Sequence, residues 1–478
     1  MKPYLRTFLL ANLVSALVLP SMAKPNFIVI FIDDMGYGDI GPFGSKKNET
    51  PHLDRMAKEG MKLTSFYLAS SVCTPSRAAL MTGSYPRRVG LGKGSGHGVL
   101  FPGDPHGLHP KEVTIAEMLK DAGYATGCFG KWHLGDQPEF LPTSQGFDEY
   151  VGIPYSNDMW VGLKRWKFPH LPILRGTKVI DQVKDMDGQA DLCRLFTVEA
   201  VKFIEKNKDK PFFLYLTHYA VHTPIQAKSE LKKKYQAKKP TERHKNAAYA
   251  AMIESTDDSV GAVLGKLEEL GLDENTIVLF FSDNGGHGGV TSNAPLRGSK
   301  GMLYEGGIRE PMIVKWPGVT KPGSVCKENV IGVDFYPTLL EVTNSPTPKD
   351  YLLDGVSLVP LLKNAKAKLE RKAIHWHFPA YLQGYTARHG HFRTTPAGAV
   401  RIGDWKLIEF FEDGTLELYN TGKDLSETKN LAKKMPEKAK ELHEVMLAWR
   451  KDTKAPVPTK LNPAYDPKAA KAGKKIKK

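Results

Sequence analysis

Residues 25–34 read PNFIVIFIDD, and this short run decides the fold. Phe27 to Ile32 is unbroken Phe, Ile and Val, without the alternation of a strand that has one wet face. A strand of this kind belongs in the middle of a parallel sheet, covered on both sides. The run stops at Asp33-Asp34 and enters a Gly-rich turn, MGYGDIG. The segment TPHLDRMAKEG that follows predicts an amphipathic helix, with Pro51 near its start and Gly60 at its end. The same pairing of helix and apolar strand recurs in VTIAEMLKDAGYATGCFG, TVEAVKFIEKNKDKPFFLYLTHYA and SVGAVLGKLEELGLDENTIVLFFSDNGG. This is the pattern of an α/β protein with a large, mainly parallel sheet flanked by helices. No fixed-period repeat interrupts it.

After about residue 365 the texture changes. RIGDWKLIEFF and TLELYN face each other across Glu412-Asp413-Gly414, a hairpin signal, and MPEKAKELHEVMLAWRKD predicts a closing helix. The expected organisation is an α/β catalytic domain over 24–365, a smaller α+β domain with an antiparallel sheet over 366–453, and a basic, solvated tail over 454–478. Residues 1–23 combine a basic start (MKPYLR), a short apolar run (FLLANLVSALVL) and a small-residue exit at Ala23, which reads as a secretory signal peptide. The expected location is therefore outside the cytoplasm, periplasmic or secreted. No other apolar run is long enough to span a bilayer, so an integral membrane protein is excluded.

A chain of 478 residues that is 41% apolar can bury a substantial core, and its 44 Gly and 33 Pro predict many loops. Four cysteines exclude a disulfide-built scaffold and a Cys-rich zinc module. Cys128, inside an apolar run, reads as core; whether Cys193 and Cys326 pair stays open. The net charge of +15 is substantially a property of the end, because residues 451–478 carry nine Lys and two Asp. No helix-turn-helix, zinc-finger or RNA-recognition pattern accompanies it, so no nucleic-acid partner is expected. The sequon Asn48-Glu49-Thr50 is uninformative about the host.

In open α/β sheets, ligands sit beyond the carboxyl ends of the strands. Two such ends carry polar clusters, Asp33-Asp34 and Ser282-Asp283-Asn284. Three carboxylates and an amide converging there would repel without a cation, and all-oxygen ligation suits Ca²⁺ or Mg²⁺ rather than zinc. Either pair alone reads equally well as a helix cap or a solvated turn. The sharpest local signal is Cys73-Thr74-Pro75-Ser76-Arg77-Ala78-Ala79-Leu80-Met81-Thr82-Gly83. A Cys at the start of a helix, four residues before an Arg, would lie in a positive field. On physics alone, a buried structural Cys remains an equal reading.

This segment resembles the signature of the formylglycine-dependent (type I) sulfatases, arylsulfatase-like, in which the Cys of Cys-x-Pro-x-Arg is oxidised to an aldehyde after translation. FIDDMGYGD, GYATGCFGKWHLG, LTHYAVHTP, FFSDNGG and LRGSKGMLYEGGIREP extend the likeness, in the family's order, over roughly residues 25–435. The resemblance implies an alkaline-phosphatase-like fold and a sulfate monoester hydrolase. It implies one calcium ion held by Asp33, Asp34, Asp283 and Asn284 together with the modified Cys73. Arg77 would hold the formylglycine; Lys131, His133, His222 and Lys300 would line the sulfate pocket, with Ser156 in GIPYSND beside them. A formylglycine-generating or anaerobic sulfatase-maturing enzyme is the implied partner.

The family's chemistry needs this set. The hydrated aldehyde offers two hydroxyls on one carbon: one attacks sulfur, with Asp283 as the implied base, and the other lets the enzyme-bound sulfate leave. Lys131, Lys300 and calcium would neutralise the equatorial oxygens, His222 would protonate the departing alcohol, and His133 would take the second hydroxyl's proton. A plain Ser or Cys lacks that second hydroxyl and would stay trapped. Sulfated carbohydrate is the expected substrate class. Two loops are candidate subsites, one with His97, His106 and His109, the other with His375, His377, Arg388 and Arg393; ordinary surface loops are the alternative. Two other functions stay open: a phosphate or phosphonate ester hydrolase of the same superfamily, and a non-catalytic carbohydrate-binding homologue.

Overall fold

The computed structural model describes residues 24–92, 98–163, 168–241, 244–383, 392–460 and 462–465. The strands are β1 (Asn26–Ile32), β2 (Met61–Tyr67), β3 (Ala125–Lys131), β4 (Glu149–Ile153), β5 (Pro172–Arg175), β6 (Lys178–Gln182), β7 (Phe212–Thr217), β8 (Thr276–Ser282) and β9 (Arg309–Lys315). Then come β10 (Ser324–Cys326), β11 (Val330–Ile331), β12 (Ile374–Phe378), β13 (Leu382–Gln383), β14 (Phe392–Thr394), β15 (Ala397–Ile402), β16 (Trp405–Phe410) and β17 (Leu416–Asn420). The helices are α1 (Pro51–Glu59), α2 (Cys73–Thr82), α3 (Ile115–Asp121), α4 (Met186–Lys206) and α5 (Ser229–Gln236). They continue with α6 (Ala247–Glu269), α7 (Glu305–Ile308), α8 (Phe335–Thr343), α9 (Val359–Lys363) and α10 (Pro436–Asp452).

Among the described residues the larger sheet has eleven strands, in the order β10-β2-β9-β8-β1-β7-β3-β4-β5-β6 with β11 beside β2. Its centre, β8-β1-β7-β3-β4, is parallel, whereas β9 and the edge strands β5 and β6 run antiparallel to their neighbours. The sheet is thus mixed at its flanks. The lack of alternation in β1 has a direct cause. Phe27, Val29 and Phe31 pack on the face covered by α2, α3, α8 and α9, while Ile28, Ile30 and Ile32 pack on the face covered by α1, α4 and α6. Both faces are dry.

A second, four-stranded antiparallel sheet, β12-β15-β16-β17, packs α10 on one side and the α2–β2–α7 region on the other. RIGDWKLIEFF is not one strand: Gly403, at φ 55°, turns the chain between β15 and β16, and β16 then pairs with β17. Similarly, α4 begins eleven residues before Thr197, because Asp185 accepts from the Gly188 N–H and caps it at Met186.

Other expectations meet the packing. The start of the tail is largely exposed but tethered: Pro456 O accepts from His377 Nε2 at 2.9 Å, and Tyr465 OH donates to Asp413 at 3.2 Å. All four cysteines are free; Cys193 Sγ donates to Ser255 O, and Cys326 lies in the core cluster on the other face, so the two do not pair. Cys128 is core. Asn48 is buried, its amide donating to Asp39 O at 2.8 Å, so the folded chain does not offer that sequon. The candidate signal peptide lies outside the described residues. Among the described residues no helix is long and apolar enough to cross a membrane.

Candidate active site

The parallel register brings the polar strand ends together. Ile32 at the end of β1 pairs with Ser282 at the end of β8, so Asp33-Asp34 and Asp283-Asn284 leave the sheet side by side. On the other flank, β3 ends at Lys131 and β7 at Thr217, paired one residue earlier through Gly130. A Cβ on Gly130, which sits at φ 127°, would lie 1.8 Å from Thr217 O. Only glycine permits that approach, and it delivers Lys131 into the site. Four adjacent strands thus supply the floor.

Helix α2 points its first residue, Cys73, at this floor, and all ten of its residues are buried. Arg77, one turn later on the same face, reaches beneath. Its Nη2 donates to Asp33 Oδ2 at 2.9 Å and Asp283 Oδ2 at 3.1 Å, and its Nη1 to Lys131 O at 2.9 Å and Thr217 Oγ1. Lys131 Nζ lies 2.6 Å from Asp33 Oδ2 and 3.1 Å from Ser156 Oγ. Lys300, from the loop before α7, lies 2.7 Å from Asp34 Oδ1. Three carboxylates and three fixed cations share one buried site. Removing one of the cations leaves a buried carboxylate uncompensated, at a cost of about 3–5 kcal/mol.

Two histidines complete the set. His222 Nδ1 donates to Thr223 O, which leaves Nε2 facing Asp34 Oδ2 at 3.6 Å. His133 Nε2 donates to Leu100 O at 2.9 Å, so its buried Nδ1 is the lone-pair atom. Thr74, next to Cys73, closes a ring around it: Thr74 Oγ1 donates to His133 O and accepts from Leu100 N. Both Asp34 (φ 61°) and His133 (φ 60°) occupy the left-handed region, which is costly for non-glycine residues and concentrates at functional sites.

Burial pushes the Cys73 thiol up to about 11 despite Lys131 and Lys300, so the positive field does not make a thiolate here. Burial also holds His133 well below the usual histidine range, with Lys131 adding to the effect. For Asp33, burial works upward, but Lys131, His222 and Arg77 together hold the carboxyl well below its ordinary value. Asp283 is raised, by burial first and then by the neighbouring Asp33.

The donors fit a hard cation. Asp33 Oδ1 and Asn284 Oδ1 are buried oxygens without a hydrogen-bond partner, while Asn284 Nδ2 donates to Asp34 Oδ1 at 2.8 Å. Asp33, Asp34 and His222 also lie close enough together to share an ion. Orphaned carboxylate and amide oxygens suit Ca²⁺ or Mg²⁺.

Residues 25–345 match the sulfatase family, and residues 299–452 match the C-terminal region of N-sulphoglucosamine sulphohydrolase. The chain belongs to the sulfatase family. It is 34% identical to a sulfatase of Formosa agariphila over 95% of each chain. It is 36% identical to human arylsulfatase A over 82% of this chain and 76% of that one. The crystal structure of Ps i-CgsB in complex with k-i-k-neocarrahexaose superposes with a TM-score of 0.78 at 30% identity, covering 92% of this chain and 95% of that one. As a family member, this sulfatase is a sulfuric ester hydrolase.

Around the floor, the sulfatase departs from the sequence reading. His375 is buried and stacks on Trp449 at 5.0 Å, and His377 is tied to Pro456, so packing consumes both. His106 and His109 lie on an exposed loop; His97 and Arg388 lie outside the described residues. Arg393 does reach the rim: a Cβ built on Gly301, beside Lys300, would come within 3.1 Å of its Nε. His287, which the sequence reading does not single out, stands in the field of Asp34, Lys300, Arg393 and His222, and burial pushes it down to about 3. Its one signal is position, three residues past Asn284. Nothing in the sequence marks Leu100.

Proposed function

We propose that this sulfatase cleaves sulfate monoesters of sulfated carbohydrates, using a formylglycine formed from Cys73 and one calcium ion held by Asp33, Asp34, Asp283 and Asn284. The observation that carries the reading is the convergence of those oxygens, two of them orphaned, on Cys73 at the buried start of α2. A hydrated formylglycine would supply paired hydroxyls at position 73, and calcium would supply positive charge for the bound anion. The chain's own groups do the rest. Lys131 and Lys300 bind and orient the sulfate oxygens, and Arg77 fixes Asp33 and Asp283 from below. With Nδ1 bonded to Thr223 O, His222 Nε2 can pass a proton to the leaving oxygen when both ring nitrogens carry one, and His133 Nδ1, kept as a lone pair by Leu100 O, can accept one in return.

With Arg77, Lys131 and Lys300 balancing three carboxylates, a bound calcium ion would give the site an excess of positive charge, which suits a sulfate monoester. Export by residues 1–23, and a catalytic unit over 24–365 with a C-terminal unit over 366–453, belong to the same reading. Release of sulfate from an aryl sulfate, set against phosphate release from the matching phosphate and phosphonate esters, tests it. Preference for the phosphorus esters would favour the other hydrolase class, and no turnover of any would favour a binding protein.

Carbohydrate specificity rests on the Ps i-CgsB complex and on Arg393 at the rim. Remote contacts serve catalysis only if the substrate reaches them. Arg393→Ala should therefore lower kcat/KM for a sulfated oligosaccharide about tenfold and for an aryl sulfate less than twofold, a gap of about 1 kcal/mol or more. Added salt should narrow that gap, because the Debye length is only about 8 Å at physiological ionic strength. Equal losses on both substrates would remove Arg393 from the subsite.

A further inference from the structure

Lys300 comes from a loop of the larger unit, yet much of what holds that loop belongs to the C-terminal unit. Within the larger unit, Lys300 N bonds Gly286 O and Gly301 N bonds Ser71 O. Much of the rest comes from across the interface. Arg297, where the loop enters, donates through Nη1 to Tyr419 OH at 2.8 Å and Glu427 O at 2.9 Å. Its guanidinium lies 4.0 Å over the Tyr304 ring, and Tyr304 OH donates to Glu417 at 2.7 Å. Glu305, where the loop becomes α7, receives the closest hold. Its backbone N–H donates to Glu427 Oε2 at 2.7 Å, and its carboxylate takes Lys406 at 3.0 Å, Tyr67 OH at 2.7 Å and Arg309 at 3.1 Å. Lys406 also bridges to Glu427 at 2.9 Å.

Glu305, Lys406 and Glu427 each have 0% exposure. A buried ionic cluster is a weak source of stability, since well-packed apolar side chains of similar volume do as well or better. The apolar option is already in use beside it, where Leu303, Tyr304 and Ile308 pack with Trp376, Ile408 and Phe410. What charge adds is direction, by fixing where the two ends of the loop must lie. Glu427 itself sits at φ 50°, a backbone state that non-glycine residues hold only when their surroundings require it.

We propose that Glu427 and Lys406 are positioning residues for Lys300, so that the C-terminal unit is a working part of the sulfate pocket. This rests on Lys300 lining that pocket. A double-mutant cycle with an aryl sulfate tests it. Glu427→Gln should lower kcat/KM about tenfold, mostly in kcat, because small displacements of a charge-stabilising group are felt in the transition state. In a Lys300→Ala background the same substitution should cost less than twofold, since residues acting through one another are not additive. Tyr304→Phe, which deletes one hydroxyl and keeps the ring, should cost about threefold and vanish in the same background. It decides the matter if Glu427→Gln fails to fold. Equal losses with and without Lys300, or a lowered Tm at unchanged kcat/KM, would overturn the proposal and assign the cluster a structural role. If Lys300→Ala alone changed nothing, the pocket reading itself would fall, a result distinct from additivity.

Discussion

Cys73→Ala is expected to abolish turnover, by about 10⁴-fold or more, while the protein folds as before. The fold should survive because the change removes one sulfur atom from a buried helix start, a loss of about 1 kcal/mol. Cys73→Ser should be as inactive towards repeated turnover, since a single hydroxyl has no partner to release the product. Mass spectrometry of the peptide containing residues 73–77 should find the aldehyde in active protein. Fully active enzyme carrying only unmodified Cys73 would end the formylglycine reading. The structure adds a constraint on timing. Every residue of α2 is buried, and burial keeps the thiol up at about 11, so the folded chain neither exposes the motif nor presents a thiolate. A maturing enzyme should convert a peptide spanning this segment and leave folded, unmodified protein untouched. Conversion of the folded protein would mean that α2 opens locally.

How far the sequence reaches depends on whether a residue's role is local. The PNFIVIFIDD run places β1 at the centre of the sheet because its two faces pack on two separate sets of helices, a fact written into the lack of alternation. Asp33-Asp34 and Asp283-Asn284 are legible because strand ends in a parallel sheet must lie together, and the register of β1 with β8 brings them there. Pairings set by tertiary packing are not legible. His375 looks like a loop ligand until α10 delivers Trp449 to stack on it. Leu100 offers only a backbone carbonyl, and no side-chain pattern can announce that it sets the tautomer of His133. The hold on Lys300 is hidden for the same reason: Lys300 and Glu427 lie far apart in the chain, and each alone reads as an ordinary charged residue.

The oxygen cluster carries the second large effect, and here activity and stability should move in opposite directions. Without an ion, Asp33, Asp34 and Asp283 crowd one buried site, and Arg77 divides one nitrogen between Asp33 and Asp283. Asp283→Asn keeps the shape and removes one of the repelling charges. The metal-free variant should therefore be at least as stable as the metal-free parent, with an equal or higher Tm. The parent, however, gains from an ion that binds only the folded state, by about 2.7 kcal/mol when calcium is present at a hundred times its Kd. In thermal melts with calcium and with a chelator, the parent should show a clear upward shift in Tm on adding calcium, and Asp283→Asn little or none. With calcium present, activity of the variant should fall about 10²-fold or more below that of the parent, since charge placed where the transition state needs it is worth several kcal/mol. Elemental analysis should find one calcium per parent chain. Stoichiometric zinc in its place would overturn the oxygen-ligand reading and move the chain towards the phosphorus-ester hydrolases. A calcium-dependent Tm shift that survived in Asp283→Asn would show that Asp33, Asp34 and Asn284 hold the ion without Asp283.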